Sequence, residues 1–401
     1  MEVPMNKRHV EHIKPVDSAQ VHAALVGVLT QHLPMDLNAR NLDAETLWDI
    51  LLYASFHQTT IESACLELGV ASGTTTRNHL VAELGDSPRD LHDLEHQLNH
   101  GLRGQLPRSF RRQLNSRPYD VAIDLVELPY YGQPHQRDQE LRRNQAKAGT
   151  TYFHCYATLA VVHDDQRYEL ALTFVQAKVS LTAVVLNLLK YTRLLGLRIR
   201  RAYLDKGFAR VEILRLLRRH RIPYAIPVPL RGNGLKALCR GQRSYGTRYT
   251  FNAKTADAYT TDLVLVRRYR AGRRGRHGVD WLVYAVYAIG QCEPYQVHQL
   301  YSWRFGIESG YRQMHQVRAR TTSRHPGLRL LFIGLALFIL NCYMALRQVW
   351  LTMRQYGQRV YKVWLTVQRL ARMFVRTIEQ LLGATLIHQV AHTQFDLYPI
   401  S

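Results

Sequence analysis

The chain has 401 residues, which allows a sizeable buried core and two or three domains, and it carries a net charge of +22. Its five cysteines are widely spaced and form no Cys-x-x-Cys pair, which argues against a disulfide framework and against a thiolate zinc site. The first residues, M-E-V-P-M-N-K-R-H-V, lack the apolar stretch of a secretory signal, and together these features predict a cytoplasmic protein.

The positive charge is unevenly distributed along the chain. Residues 1–100 hold 6 Lys and Arg against 14 Asp and Glu, whereas residues 101–401 hold 47 against 17. A strongly basic body is typical of polyanion-binding proteins, and arginine, which outnumbers lysine here, suits bidentate contact with phosphate. The charge distribution therefore predicts nucleic acid as the partner; a solubilising surface is the alternative.

Residues 1–100 are predicted to form a helical domain, because apolar residues recur at intervals of three or four. Residues 59–84 predict two helices separated at Gly69, the pattern of a helix-turn-helix that reads DNA. The acidic balance of this domain would repel phosphate, so a dimerisation or regulatory module is the alternative. The candidate reading face of the second helix carries Thr75, Thr76, Arg77 and His79.

Three histidines follow at a spacing of four residues on one predicted helix face: His92, His96 and His100. They could hold a metal ion, but a solvated helix face with nearby acidic residues is the more common arrangement. Residues 101–118 are basic and are predicted to be a linker or a phosphate-contacting arm.

Residues 119–228 show alternating strand and helix patterns. The order is three strands, a helix, a strand, a helix and a strand, which predicts the mixed α/β sheet of a ribonuclease H-like fold. A polar loop is predicted at 132–149. The predicted strands are 119–131, 151–163, 167–175, 197–204 and 223–228, and the predicted helices are 181–195 and 211–220.

Residues 229–290 predict a basic, β-rich insertion into this α/β domain, with β-like runs at 249–251, 263–270 and 281–289. Trp281 lies in the last run. An aromatic ring beside arginines can stack on a nucleic-acid base, although packing is the more common role of a strand tryptophan.

Residues 291–350 are predicted to complete the core with a helix that carries Glu308 and a long apolar helix. The uncharged stretch 330–346 falls just short of the length of about 20 residues that a bilayer needs, so a buried core helix is favoured over a membrane span. Residues 351–401 are predicted to be a basic helical tail that packs on the core or on DNA, with the cations Arg359, Lys362, Arg369, Arg372 and Arg376.

Three isolated carboxylates stand out in this basic chain: Asp124 within an apolar strand, Asp205 at a strand end and Glu308 on a late helix. Each alone has a structural explanation, such as a helix cap for Asp205 or an ion pair with Arg304 for Glu308. If they converge, their oxygens suit Mg²⁺, and two such ions can promote in-line displacement at a phosphodiester. We therefore predict that the three acids are catalytic and hold the metal.

Three segments around these acids carry a family resemblance: I-D-L at 123–125, Y-L-D-K-G-F at 203–208 and Y-S-W-R-F-G-I-E at 301–308. They resemble the carboxylate motifs of insertion-sequence DDE transposases, in the group with an inserted β-domain and a Tyr-x2-Arg-x3-Glu-x6-Lys signature. Tyr301, Arg304 and Glu308 match that signature, whereas His315 stands at the Lys position. The resemblance covers about residues 119–350.

The resemblance implies a ribonuclease H-like core that uses Mg²⁺, for which Mn²⁺ can substitute, and cut-and-paste transposition. It implies double-stranded DNA partners, namely terminal inverted repeats and target DNA, and a homodimer in the cytoplasm of a prokaryote. It also implies DNA-end contact at position 315, with Arg312 or Arg318 as a replacement cation, and a role for Trp281 beside a flipped base.

From the residues and the resemblance together we predict a metal-dependent DNA transposase. Lys206, Tyr301 and Arg304 are expected to bind or orient DNA phosphates, and Arg77 to contact DNA from the helix-turn-helix. Two alternatives are a metal-dependent nuclease of the same fold without strand transfer and a non-catalytic DNA-binding protein.

Overall fold

A computed structural model describes residues 17–35, 42–132, 140–162, 167–269, 279–350 and 365–384. Residues 164–166 between the second and third predicted strands, residues 271–278 of the predicted insertion and the tail cations Arg359 and Lys362 lie outside these ranges.

Helices account for the described part of residues 17–118. The two helices predicted within residues 59–84 are present and are separated at Gly69, which ends the first at φ 67°. Thr60 and Ser72 accept hydrogen bonds at the two helix starts. Residues 101–118, predicted to be a linker, contain the end of one helix and all of another, whose Phe110 and Leu114 are buried. The six helices are α1 (Ser18–His32), α2 (Ala44–His57), α3 (Ile61–Leu68), α4 (Gly73–Leu84), α5 (Pro88–Gly104) and α6 (Arg108–Leu114).

One nine-stranded sheet organises the rest of the described chain. Its strands are β1 (Tyr119–Pro129), β2 (Arg142–Lys147), β3 (Thr150–Val161), β4 (Glu169–Val175), β5 (Ile199–Leu204), β6 (Tyr224–Pro227), β7 (Tyr245–Phe251), β8 (Tyr259–Tyr269) and β9 (Val279–Tyr287). β2 lies in the segment that was predicted to be a loop, because this strand is polar and almost wholly exposed and gives no alternating pattern.

The strand order confirms the predicted ribonuclease H-like core. β4, β3 and β1 form an antiparallel meander, and β5 and β6 continue it parallel to β1. The predicted insertion supplies β7, β8 and β9, and β9 pairs antiparallel with β6. The insertion therefore extends the core sheet instead of forming a separate one.

The remaining helices cover the two faces of the sheet. They are α7 (Leu181–Leu194), α8 (Val211–Arg219), α9 (Asn233–Leu238), α10 (Pro294–Ser302), α11 (Phe305–His315), α12 (Pro326–Trp350) and α13 (Val367–Leu381). One large core joins the N-terminal helices, α7, α8, α12 and α13 to one sheet face. A smaller core lies between the opposite face and the pair α10–α11.

The apolar helix α12 lies inside the protein. By length and composition the stretch Pro326–Gln348 could cross a membrane, but 83% of an apolar 18-residue window within it is buried, and the helix packs against α5, α4, α2 and β4. This is the position of a core helix, the alternative that the sequence favoured.

Two asparagines hold the free edge of β4. Asn341 of α12 donates to the Glu169 carbonyl at 2.9 Å and accepts from the Glu169 amide at 2.9 Å. Asn99 of α5 makes the same pair of bonds with the backbone of Leu172, at 2.7 and 2.8 Å. Each side chain replaces a neighbouring strand, because an unpaired buried backbone group is costly.

Replacement of Asn341 by leucine is expected to lower the free energy of unfolding by about 2–4 kcal/mol, because two buried backbone groups of β4 lose their partners. Urea and thermal unfolding would measure the loss. Asn144→Leu, at an exposed position on β2, is the matched control and should change stability by about 0.5 kcal/mol or less. Equal stability of the two variants would contradict the edge-capping role.

Candidate active site

Asp124 and Asp205 lie on neighbouring parallel strands at the same edge of the sheet. β1 and β5 are in register at Ile123 and Leu204, and the next residue along the chain after each is one of the two acids. Asp124 faces α11, since its register partner Thr158 bonds the Tyr311 hydroxyl of that helix at 2.9 Å. Asp205 follows the last residue of β5 and begins a single 3-10 turn.

Glu308 is positioned by the pair of helices α10 and α11, which pack on this face of the sheet. The Tyr301 hydroxyl donates to the Leu204 carbonyl at 3.3 Å and so ties the end of α10 to the end of β5. α11 begins four residues later, with Glu308 in its first turn. The two helices thus carry the third acid to the strand ends that bear the first two.

The side chain of Arg304 reaches all three carboxylates. Its Nη1 lies 2.8 Å from Asp124 Oδ2, and its Nη2 lies 3.9 Å from Asp205 Oδ1 and within hydrogen-bond distance of Glu308 Oε1. The exposed fraction is 6% for the Arg304 side chain, 14% for Asp124, 37% for Asp205 and 41% for Glu308. The structure therefore brings together acids from three distant parts of the chain around one buried guanidinium.

Burial dominates the electrostatics of the site. It raises the pKa of Asp124 to about 6; Arg304 and the Leu125 amide oppose that rise, and the other two acids add to it. Burial alone would lower the pKa of Arg304, but Tyr301 and the three carboxylates raise it. The guanidinium is consequently a permanent cation held among acids that would otherwise repel one another.

The donor atoms of this site suit a hard divalent cation. Carboxylate oxygens are the ligands that Mg²⁺ and Mn²⁺ prefer, and Asp124, Asp205 and Glu308 supply them from three directions. Within the described ranges no three His, Cys, Asp or Glu side chains are already gathered closely enough to hold an ion, because the carboxylates surround the guanidinium. The residues fit the metal in chemistry, and Arg304 occupies the space between them.

Comparison with known proteins identifies the family. A family model described as the transposase DDE domain matches residues 115–342, a range that contains all three acids. The chain belongs to this family. The predicted resemblance and the predicted enzyme class, a DDE transposase, are thereby confirmed.

The fold of this transposase is similar to that of another transposase, whose structure was solved in complex with DNA. The solved structure is the synaptic complex of piggyBac transposase with hairpin DNA; it matches with a TM-score of 0.54 at 10% sequence identity and covers 92% of this chain and 81% of that one. At this identity the likeness supports the fold alone. No curated protein matches the sequence.

Several residues predicted to contact DNA lie on or directly after the elements that carry Asp205 and Glu308 in this transposase. Lys206 follows Asp205 and is exposed, and Arg312 is exposed on α11. His315, the last residue of α11, is exposed, and partial desolvation and the charge of Arg318 lower its pKa. Arg318 follows three residues later, in a position where burial lowers its pKa as well.

Other predicted contacts have structural partners in this transposase. Tyr301 is 4% exposed and packs against Tyr203 and Tyr284, so it supports the site from below rather than presenting a hydroxyl to DNA. Trp281 of β9 packs edge-on against Tyr245. This contact fits the packing role of a strand tryptophan, the alternative to base stacking.

On α4, Arg77 pairs with Glu62 of α3 at 3.4 Å. Thr76, predicted on the reading face, is fully buried, and its hydroxyl donates to the Ser72 carbonyl at 2.9 Å. The reading face therefore does not include Thr76. The three histidines of α5 diverge: His92 contacts Phe174, His96 contacts Tyr191 and His100 contacts His32.

The sequence interpretation missed two buried acids on strands of the core sheet, Asp120 of β1 and Glu169 of β4. Asp120, four residues before Asp124, accepts hydrogen bonds from Arg200 at 2.8 and 2.9 Å, and it also bonds Arg201 and Tyr203. Two adjacent arginines in a predicted strand were the signal that such an acid exists. Glu169 of β4 lies beneath α11, where a Cβ added at Gly310 would be 3.4 Å from its Oε1.

Glu169 is expected to make the stability of the transposase depend on pH. Burial raises its pKa from 4.5 to about 7, and Thr158 opposes that rise only in part. Because the folded protein holds this proton more tightly than the unfolded chain, the contribution is greatest below about pH 4.5 and falls as the pH rises to about 7, by on the order of 3 kcal/mol in all.

Replacement of Glu169 by glutamine is expected to remove this slope, because the amide has no proton to lose. The variant should unfold at a higher temperature than the wild type at pH 8 and at a similar one near pH 4.5. Thermal unfolding at closely spaced pH values measures the difference. Parallel curves for the two proteins would contradict the assignment.

Proposed function

We propose that this transposase cuts DNA at the ends of a mobile element and joins those ends to target DNA, with Asp124, Asp205 and Glu308 holding Mg²⁺ or Mn²⁺. The observation that carries the proposal is the convergence of these acids on one guanidinium. In a chain of net charge +22, an acidic cluster open on one side is a site for cations that accompany a polyanion.

The proposed chemistry is two in-line displacements at phosphorus. In the first, water attacks the phosphodiester at the element end and a 3′-hydroxyl leaves; in the second, that hydroxyl attacks a target phosphodiester, and a target 3′-oxygen leaves with the proton. Bound divalent ions supply Lewis-acid activation of the attacking and leaving oxygens. The protein contributes positioning, through the Tyr301–Leu204 and Thr158–Tyr311 bonds that fix α11 over the strand ends.

Two arginines beside the site supply a place for a DNA phosphate. Arg318 and Arg329 are largely withdrawn from water, which lowers the pKa of each, and neither forms an ion pair with an acid in the part of the chain that the structure describes. Arg318 Nη1 is buried without a partner. Both interact with Tyr156, two residues from Thr158 on the same face of β3. An unmatched buried cation favours an anionic ligand, and the phosphodiester is the anion of this reaction.

Further parts of the proposal rest on the family resemblance. We propose that the protein acts as a homodimer on double-stranded DNA in the cytoplasm of a prokaryote, and that Lys206, Arg312 and His315 contact the DNA ends. The stripe of exposed arginines on α13, Arg369, Arg372 and Arg376, is consistent with a DNA-facing tail.

The test is incubation of the purified protein with DNA that carries the inverted repeats flanking its coding region, in Mg²⁺ or Mn²⁺. Strand-specific nicks at the repeat ends followed by joined products are expected. Nicks without joined products would favour the nuclease alternative. Retention of the DNA without any cleavage would favour the non-catalytic alternative and contradict the proposal.

A further inference from the structure

Arg304 is the most constrained cation of the site. Its guanidinium contacts oxygens of Asp124 and Glu308 and lies 3.9 Å from Asp205, so one group neutralises acids from β1, β5 and α11. Its Nε is buried without a hydrogen-bond partner. The side chain thus leaves one buried donor without a hydrogen bond, while its two terminal nitrogens lie among the carboxylates.

The same oxygens are the ligands of the proposed metal site. Asp124 Oδ2 and Glu308 Oε1 each accept from the guanidinium. A divalent ion bound to them would lie within a few ångströms of the guanidinium charge, where two cations repel strongly in a partly buried site. We therefore expect that Arg304 and a divalent ion do not contact these carboxylates at the same time.

We propose that Arg304 is an internal counter-ion that competes with divalent cations for Asp124, Asp205 and Glu308, so that metal loading requires its withdrawal. This inference rests on the proposed metal-dependent function.

The guanidinium already lies beside two aromatic rings while it contacts the carboxylates. Arg304 is 5.3 Å from the centre of the buried Tyr301 ring and 5.5 Å from that of Phe305. Phe305 is 47% exposed, so its ring can keep a cation-π contact with the guanidinium when the guanidinium leaves the carboxylates and moves toward the surface. Once it has left the carboxylates, the guanidinium is free for the phosphate contact that the sequence predicts for it. We therefore expect Arg304 to contact the carboxylates before the metal binds and a DNA phosphate afterwards.

The competition is tested by calorimetric titration of the full-length protein with Mn²⁺ alone, without DNA. Arg304→Gln is expected to bind Mn²⁺ about tenfold more tightly than the wild type, the size of a typical coupling between two ligands. Without metal, Arg304→Gln should unfold at a lower temperature than the wild type. Addition of Mn²⁺ should raise the unfolding temperature of the variant by more than that of the wild type. The control is Arg248→Gln, which removes one exposed arginine paired with Asp262 on the inserted strands and should bind Mn²⁺ as the wild type does.

Arg304→Lys keeps the charge but cannot span three carboxylates, so it should fall between the wild type and Arg304→Gln, and it serves if the glutamine variant does not fold. Binding of Mn²⁺ by these variants with wild-type or weaker affinity, while Asp205→Asn abolishes binding, would overturn the competition alone. Absence of Mn²⁺ binding in every protein would overturn the metal-dependent function together with it.

Discussion

The rate of end cleavage is expected to fall by at least about a thousandfold when Asp205 is replaced by asparagine, a loss of about 4 kcal/mol of transition-state stabilisation. The amide removes one charged oxygen ligand from the proposed metal site. Binding of the DNA ends should remain, because arginines and lysines supply it. Cleavage of end-labelled DNA and a gel-shift titration measure the two properties separately.

Asp205 is the most informative of the three acids for this test. Its side chain is 37% exposed and its ion-pair contact with Arg304 is long, at 3.9 Å, so the substitution should change stability by only about 0.5 kcal/mol. Asp257→Asn, which removes an exposed acid beside Arg215, is the matched control and should cleave normally. Full cleavage by the Asp205 variant would refute a catalytic role, and equal loss of cleavage and DNA binding would indicate a structural one.

The largest effect on stability is expected at Asp120, which is fully buried. Asp120→Asn leaves Arg200 and Arg201 without the carboxylate that they share, and breaking a buried pair in this way costs about 3–5 kcal/mol. Thermal unfolding should show a large decrease. The loss of cleavage should then follow the loss of folded protein.

Asp124→Asn provides the contrast, four residues away on the same strand. Its carboxylate is destabilised by burial, and Arg304 keeps two other acids, so stability should change by about 1 kcal/mol or less while cleavage is lost. If Asp120→Asn were as stable as Asp124→Asn, the distinction between a structural and a catalytic acid on β1 would be wrong.

Local patterns predicted the elements that carry the site. The apolar alternation of β1, the run that ends at Leu204 and the helix break at Gly69 are properties of a few adjacent residues, and the structure has them where expected. Asp124, Asp205 and Glu308 stood out because a basic chain has few isolated acids. Their arrangement around Arg304 could not be predicted from local sequence patterns, because it depends on the packing of α11 against β1.

Side-chain partners from distant segments explain what the sequence interpretation missed. Asp120 resembles Asp124 in its strand, and only the arginines of β5, 80 residues later, make it structural. Tyr301 matched a motif, but its burial between Tyr203 and Tyr284 arises from the docking of α10 on the sheet. Likewise, nothing local in residues 279–287 indicates that β9 will pair with β6.

The asparagine of α5 that completes the edge of β4 has a practical consequence for anyone wishing to study the catalytic region alone. A fragment starting at Tyr119 would lack Asn99 and the buried Glu95, which accepts hydrogen bonds from Thr173 and the Phe174 amide. The free edge of β4 would then expose backbone amides and carbonyls without hydrogen-bond partners, and such an edge promotes edge-to-edge aggregation. Expression work should begin with the leading helices retained.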